Sequence, residues 1–102
     1  MKYKNYKCKR ISKKHFNDIV ISNAFRNHPP KQWKFYQKLE DFRYLRKLSP
    51  IIIDENNILV DGYCSWIIAD NFGYRGRKLK IYKVKGYSVN KKNKEVNDRL
   101  TF

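Results

Sequence analysis

The sequence predicts a small α+β domain with a few short strands and about two main helices. Two observations carry this prediction: a β-branched run at Ile51–Ile53, and two segments with helical character, one before it and one after it. At 102 residues the chain suits one hydrophobic core, and we expect a single domain over residues 1–102.

Composition indicates a folded chain whose partner is a polyanion. Aromatic residues make up 16% of the sequence, whereas disordered basic tails are poor in them. Lys and Arg number 24 against 9 Asp and Glu, which gives a net charge of +15. Such a surplus opposes folding by self-repulsion and is typical of nucleic-acid-binding domains. The alternative is a solvated surface produced by AT-rich codons, but codon usage that raises Lys does not by itself remove Asp and Glu.

Cysteine usage and hydropathy place the protein inside the cell. Cys8 and Cys64 are too few for a disulfide scaffold or a zinc site, and His15 and His28 add no ligand spacing. Residues 1–10 lack the apolar segment of a signal peptide, and no apolar run is long enough to span a membrane. We therefore expect a cytoplasmic protein with free thiols, no cofactor and no membrane association.

The N-terminal part of the chain is predicted to contain two strands. Residues 3–11 alternate as a strand does, with Lys7 and Lys9 on one face. Ser12 can cap a short turn of helix. The apolar run within residues 18–22 predicts the second strand.

A long amphipathic helix is predicted between two proline signals. Pro30 can occupy its first turn, and 49–50 ends it. Its apolar residues recur at helical spacing, namely Phe35, Leu39, Phe42 and Leu45. The opposite face is polar and carries Lys34, Lys38 and Asp41.

Two strands and a buried helix follow. Ile51–Ile53 and residues 58–60 are predicted strands around a polar turn. Asp61 is a suitable N-cap for the apolar helix Tyr63–Phe72, which Gly73 stops. Its predicted core residues are Trp66, Ile67 and Ile68.

The C-terminal part is predicted to hold one strand and a tail. Leu79 and Ile81 alternate with Lys78 and Lys80, which predicts a strand. The alternation of apolar and basic residues fails at 82–83, which predicts a bulge or the end of the strand. Residues 90–102 are polar and charged and are predicted to form a tail.

Residues 50–73 resemble the ParB/sulfiredoxin-like family. In that family a hairpin of the form PIIVD…ILVDG leads into a helix whose first turn holds phosphate, and residues 50–54 and 58–62 match it. The resemblance covers residues 18–84 and implies a small domain with a mixed sheet.

The residues after Gly62 depart from the family pattern. In ParB this glycine is followed by Glu-Arg-Arg, which contacts nucleotide phosphates; in sulfiredoxin it is followed by Cys-His-Arg, whose Cys is catalytic. Here Tyr63, Cys64 and Ser65 stand in those places, so no Arg remains and the thiol is one position late. The resemblance therefore implies the fold without its chemistry, and we predict that the protein is not an enzyme.

Basic residues cluster on both sides of an acidic middle segment, residues 51–70, which contains no Lys or Arg. The candidate nucleic-acid-binding residues are Lys7, Lys9, Arg10, Lys13, Lys14, Lys34, Lys38, Arg75, Arg77, Lys78, Lys80 and Lys83. Aromatic residues interleave with the first and last of these groups, a mixture that suits single strands or RNA.

Other candidate sites have ordinary explanations. A helix N-terminus lowers a thiol's pKa, but Cys64 has no basic sequence neighbour, and we interpret both it and Cys8 as packing residues. Acidic residues that could hold a metal, Asp54, Glu55 and Asp61, belong to a common type of polar turn. The two histidines could act as acid or base in a ribonuclease, but neither has an evident partner.

Three functions remain open. The first is a non-enzymatic nucleic-acid-binding module, encoded by a phage or mobile element, that uses Lys and Arg contacts to phosphate. The second is a protein-interaction factor that binds and inhibits a host nucleic-acid machine, as anti-CRISPR proteins do. The third is a small ribonuclease or nucleotidase. The expected partner is a nucleic acid or a protein complex that contains one; the oligomeric state stays open.

Overall fold

The computed structural model of the chain describes residues 6–88. In chain order the elements are β1 (Cys8–Ile11), a 3₁₀ helix (Lys13–Asp18), α1 (Asn23–Arg26), α2 (Gln32–Leu45), β2 (Ile51–Ile53), β3 (Leu59–Asp61), α3 (Tyr63–Phe72) and β4 (Ile81–Val84). The strands form one sheet in the order β1-β4-β2-β3, in which β2 and β4 are parallel and the other pairs antiparallel. The predicted α+β fold with a small mixed sheet and two main helices is confirmed.

The core lies between the sheet and the helices. Ile51, Ile53 and Ile81, from the two inner strands, are fully buried. Phe16 from the 3₁₀ helix and Ala69 from α3 pack in the same cluster. Burial of one isoleucine side chain contributes about 1.5–3 kcal/mol to the stability of the folded state. The β-branched run that predicted β2 therefore also stabilises the fold.

Helix α2 packs on α3 through one aromatic side chain. Phe42 is 1% exposed, and its ring centroid lies 5.4 Å from that of Phe72 and 5.0 Å from that of Tyr74. The predicted apolar face is right for Phe42 but wrong for Leu45, which is 65% exposed. Leu45 is the last residue of α2, directly before the left-handed Arg46 that ends the helix.

Both predicted ends of α2 are wrong. Lys31 is the N-cap, so Pro30 precedes the helix instead of occupying its first turn. At the other end Arg46 adopts a left-handed backbone, with φ of 51°, and its N–H donates to carbonyls of the last turn. The Arg46 guanidinium also lies 4.9 Å from the Phe42 ring centroid. These contacts end the helix well before Ser49.

The strand predicted at residues 18–22 is wrong. Val20 makes a single parallel bridge to Ile58, and no named strand forms in this stretch. Ile19 and Ile21 are nevertheless buried. The apolar run therefore belongs to an extended segment that covers the core and forms only one bridge with the rest of the chain described here.

Two other strands differ from their predicted bounds. Within the described residues β1 begins at Cys8, and residues 3–5 of the predicted strand lie outside that range. β4 runs through 82–83, where we predicted a bulge or an end. It is paired on both sides, by β1 and β2, so backbone hydrogen bonds maintain it where the apolar alternation fails.

Helix α3 is less buried at its centre than predicted. Ile68 is 1% exposed, as expected for core, whereas Trp66 and Ile67 are half-buried. Gly73 adopts a left-handed backbone and ends the helix, which confirms its predicted role. The predicted tail at 90–102 lies outside the described residues. No helix within residues 6–88 has the length and apolarity needed to cross a membrane.

Candidate nucleic-acid interface

The connection from β3 to α3 is built on Gly62. Its φ is +90°, and a Cβ there would lie 2.4 Å from the carbonyl oxygen of Pro50. Gly62 is the N-cap of α3, so the predicted capping role of Asp61 is wrong. Asp61 ends β3 instead, and its carboxylate accepts a hydrogen bond of 2.9 Å from the Gly62 N–H.

An open groove of about 530 Å³ lies in front of the first turn of α3. Its apolar lining is Phe25, Pro29, Pro30, Trp33 and Tyr63. Its basic lining comes from the first half of α2, namely Lys31, Lys34 and Lys38. The structure thus brings the predicted residues Lys34 and Lys38 together with the α3 N-terminus, which no sequence spacing indicated.

The thiol of Cys64 lies in this groove. Burial raises the pKa of Cys64 above its ordinary value, and the nearby ammonium groups of Lys38 and Lys34 offset only part of that rise. Lys38 is itself held by a 3.2 Å hydrogen bond from its Nζ to Ser49 Oγ. The arrangement keeps the thiol protonated at neutral pH. Cys8, by contrast, is exposed on β1, so its predicted packing role is wrong.

In a Cys8→Ser variant, Cys64 is expected to react slowly with iodoacetamide, because only the thiolate is nucleophilic. The rate should rise with pH and continue to rise beyond the range in which an ordinary thiol ionises. Rates for the folded protein, followed by mass spectrometry, are compared with rates in denaturant. A rate that levels off near neutral pH would show an activated thiolate instead.

Four lysines lie on one face of the β1–β4 pair. Lys9 is directly opposite Lys83, and the Lys85 N–H donates to the Lys7 carbonyl oxygen at 2.9 Å, which continues the same register. Side chains two residues apart on a strand share a face. We call Lys7, Lys9, Lys83 and Lys85 the lysine quartet. Lys7, Lys9 and Lys83 were sequence-based candidates, and Lys85 ends the same C-terminal basic segment at the i, i+2 spacing of a strand face.

The lysine quartet is not neutralised by a described carboxylate. Within residues 6–88 the one ion pair joins His15 and Asp18, at 3.3 Å. Like charges placed directly opposite each other destabilise a sheet. The lysine quartet therefore concentrates positive charge and lowers the stability of the sheet. An anionic partner bound to it would reduce the repulsion between the lysines.

Comparison with known proteins identifies the architecture. No protein-family model and no curated protein matches the chain. A solved structure described as the C2221 form of a Pnob8-like ParB-N domain matches 87% of it, with a TM-score of 0.64 and 22% identity. The chain has the ParB N-domain fold. A second structure, a pNOB8-like ParB N-domain, matches 93% of it, with a TM-score of 0.58 and 18% identity.

The ParB N-domain fold confirms the predicted resemblance at the level of architecture. The chain spans about a third of the length of the two matched chains, 34% and 32%. In this version of the ParB N-domain fold, Tyr63, Cys64 and Ser65 form the first turn of α3, and the cations of the groove come from α2.

Two predicted binding residues are engaged within the fold. The Arg75 guanidinium lies 3.8 Å from the Phe16 ring centroid, and its Nη1 donates to the Ala69 carbonyl oxygen at 3.1 Å. Lys13 Nζ donates to the Gly76 carbonyl oxygen at 2.6 Å. Arg75 therefore has a structural role, because its guanidinium covers a core ring and caps the end of α3.

The other predicted residues are dispersed over the ParB N-domain fold. Lys78 and Lys80 line a shallow hollow with Lys47. Arg10 lies opposite Tyr82, on the other face of β1 from the lysine quartet. The two remaining candidate binding residues, Lys14 and Arg77, have exposed side chains.

The basic sites lie at opposite edges of the sheet. The groove follows β3, whereas the lysine quartet lies on β1 and its neighbour β4. Strands in a sheet are about 4.8 Å apart, so β1 and β3 are separated by roughly 14 Å. The charge therefore forms separate patches.

The acidic turn has a structural role. Asp54 is fully buried, and its carboxylate accepts hydrogen bonds from the N–H groups of Asn56 and Ile58 at 2.8 and 2.9 Å. Within residues 6–88 no three His, Cys, Asp or Glu side chains are grouped as a metal site would require. His28 Nδ1 lies 3.0 Å from the Ala24 carbonyl oxygen, at the end of α1.

Proposed function

We propose that the protein is a non-enzymatic nucleic-acid-binding module whose affinity comes mainly from contacts between lysines and phosphates. The lysine quartet is the observation that carries this proposal. It places four ammonium groups on one face without a described carboxylate among them. The ParB N-domain fold and the net charge of +15 support a role connected with nucleic acid.

Phosphate contacts of this kind have a measurable signature. Each neutralised phosphate releases counterions, so the logarithm of the binding constant falls with the logarithm of salt concentration by about 0.9 per contact on duplex DNA. A quartet that neutralises about four phosphates would contribute a slope of about −3.6. Phosphate contacts carry no sequence information, so different sequences should bind about equally well.

Replacing Lys9 and Lys85 together by Gln is expected to flatten the salt slope by about 2, because two phosphate contacts are lost. Both side chains are exposed, and removing Lys9 relieves its repulsion with Lys83, so the melting temperature should not fall. Fluorescence anisotropy with labelled duplexes, titrated at several salt concentrations, measures the slope.

The matched control replaces Arg43 and Lys47 by Gln, which removes the same charge from the end of α2. This control should leave more of the slope intact than the quartet variant does. A slope that is unchanged in the quartet variant, or equally reduced in both variants, would contradict the role of the lysine quartet.

The second candidate is a protein-interaction factor that inhibits a nucleic-acid machine. It is favoured by two exposed apolar side chains near the C-terminal ends of α2 and α3: Leu45 is 65% and Phe72 is 56% exposed. A purified partner that binds equally well after nuclease treatment, and less well after Leu45→Glu, would favour this candidate.

The non-enzymatic part of the proposal rests on the first turn of α3. Tyr63, Cys64 and Ser65 supply no guanidinium there, and the Cys64 thiol has a raised pKa, which is unsuitable for a nucleophile. These features favour the proposal over the third candidate, a small ribonuclease or nucleotidase.

A further inference from the structure

Three aromatic side chains project into solvent along the outward face of α2. Trp33, Tyr36 and Tyr44 are 64%, 54% and 77% exposed. With 3.6 residues per turn, these positions fall on one side of the helix, opposite the buried Phe42. We call Trp33, Tyr36 and Tyr44 the aromatic stripe.

Packing within the described chain does not account for the aromatic stripe. Among residues 6–88, Trp33 and Tyr44 are in contact with no other aromatic ring. The Tyr36 ring contacts that of Phe35, with ring centroids 6.4 Å apart, and the Tyr36 hydroxyl accepts a 3.4 Å hydrogen bond from Gln32. Single exposed rings are ordinary on a protein surface, whereas three large rings on one side of one helix form an extended surface of the kind that contacts a partner.

The charges around the aromatic stripe carry a small positive surplus. Lys34, Arg43 and Lys47 are exposed on the same helix or just beyond its end. Glu40 is also exposed and lies on the stripe between Tyr36 and Tyr44, and Asp41 lies beside the stripe, one helical turn before Tyr44. Rings bordered by cations suit a ligand that presents flat unpaired bases beside phosphates, which is a single strand and not a duplex.

We propose that the aromatic stripe stacks the bases of a single-stranded nucleic acid. This inference rests on the proposed function and adds the type of strand. Trp33 and Tyr44 are about 17 Å apart along the helix at 1.5 Å per residue, a span of several nucleotides. Lys34 contacts the phosphates, and Glu40 weakens binding by repelling them.

Tryptophan fluorescence provides a direct readout. The chain has two tryptophans, and Trp66 is half-buried between the rings of Phe16 and Tyr63. A single-stranded 12-nucleotide oligomer should therefore quench Trp33 fluorescence, and a hairpin duplex should quench it far less. Quenching should disappear in Trp33→Leu, which keeps apolar surface but removes the stacking ring.

Affinities of paired variants test the same inference quantitatively. Tyr44→Leu and Trp33→Leu should each weaken binding to the single strand by roughly fivefold or more, since stacking of one base contributes about 1–3 kcal/mol. Neither should change duplex affinity or the melting temperature. Glu40→Gln should tighten single-strand binding.

The outcomes separate this inference from the proposed function. If Lys9→Gln with Lys85→Gln weakens binding while the stripe variants bind single strands as the parent does, the stripe inference is wrong and the proposed function stands. Equal losses on single strands and duplexes in the stripe variants would also overturn it. If the protein binds neither single strands nor duplexes, both the stripe inference and the proposed function are wrong. Both are also wrong if a purified protein partner binds the parent in the absence of nucleic acid and no longer binds Trp33→Leu.

Discussion

Replacing Gly62 by Ala is expected to destabilise the protein by roughly 2–6 kcal/mol, the sum of about 1–3 for a strained backbone and about 1–3 for overpacking. The residue has φ of +90°, and the added Cβ would lie 2.4 Å from the Pro50 carbonyl oxygen and 2.9 Å from the Ile51 Cα. Both contacts are with backbone, which cannot move aside as a flexible side chain can. Urea denaturation measures the change in the free energy of unfolding.

Gly73 supplies the matched control for Gly62. It also has a left-handed backbone, with φ of +62°, but a Cβ there would meet nothing within 4 Å. Gly73→Ala therefore introduces the backbone strain without the clash, and its effect should be smaller by the overpacking contribution. Equal effects of the two substitutions would show that the close approach of Gly62 to β2 does not matter.

Replacing Phe42 by Ala is expected to lower the free energy of unfolding by about 3–5 kcal/mol, the range for a buried aromatic truncated in a core. Phe42 is 1% exposed and joins α2 to the rings of Phe72 and Tyr74. Total stabilities of about 5–15 kcal/mol make this a large fraction. Thermal and urea melts provide the measurement.

Tyr44→Ala is the control on the same helix, since that side chain is 77% exposed and its truncation should change stability by no more than about 0.5 kcal/mol. Trp66→Ala should fall between the two, because Trp66 is half-buried and not the core residue that the apolar run around it predicted. A Phe42→Ala protein that melts like the parent would mean that α2 is not anchored through this ring.

Local signals were sufficient for the central elements of the fold. The run Ile51–Ile53 became a buried strand, and Gly73 ended α3, because each depends on the residue's own conformational preference. Arg46 gave no such signal, since a left-handed backbone at Arg is uncommon and here is stabilised by contacts with the preceding turn. The early end of α2 was therefore unpredictable from local sequence.

The candidate sites depend on register and packing, which the sequence does not display. The residues Lys9 and Lys83 were both candidates, but only the antiparallel pairing of β1 with β4 places them opposite each other. The groove likewise joins α2 lysines to the start of α3 across the packing of two helices. Conversely, Arg75 looked like a free cation in sequence, and only its position over Phe16 reveals a structural role.

The strand order has a consequence for how the protein is made. β4 lies between β1 and β2 in the sheet, yet among the strands of residues 6–88 it comes last in sequence. Until the ribosome has released residues 81–84, β1 has no neighbouring strand, and β2 and β3 form only an isolated hairpin, which is marginal in water. The four-stranded sheet therefore closes only when β4 docks, a step that joins β1 to a segment about 70 residues away in sequence.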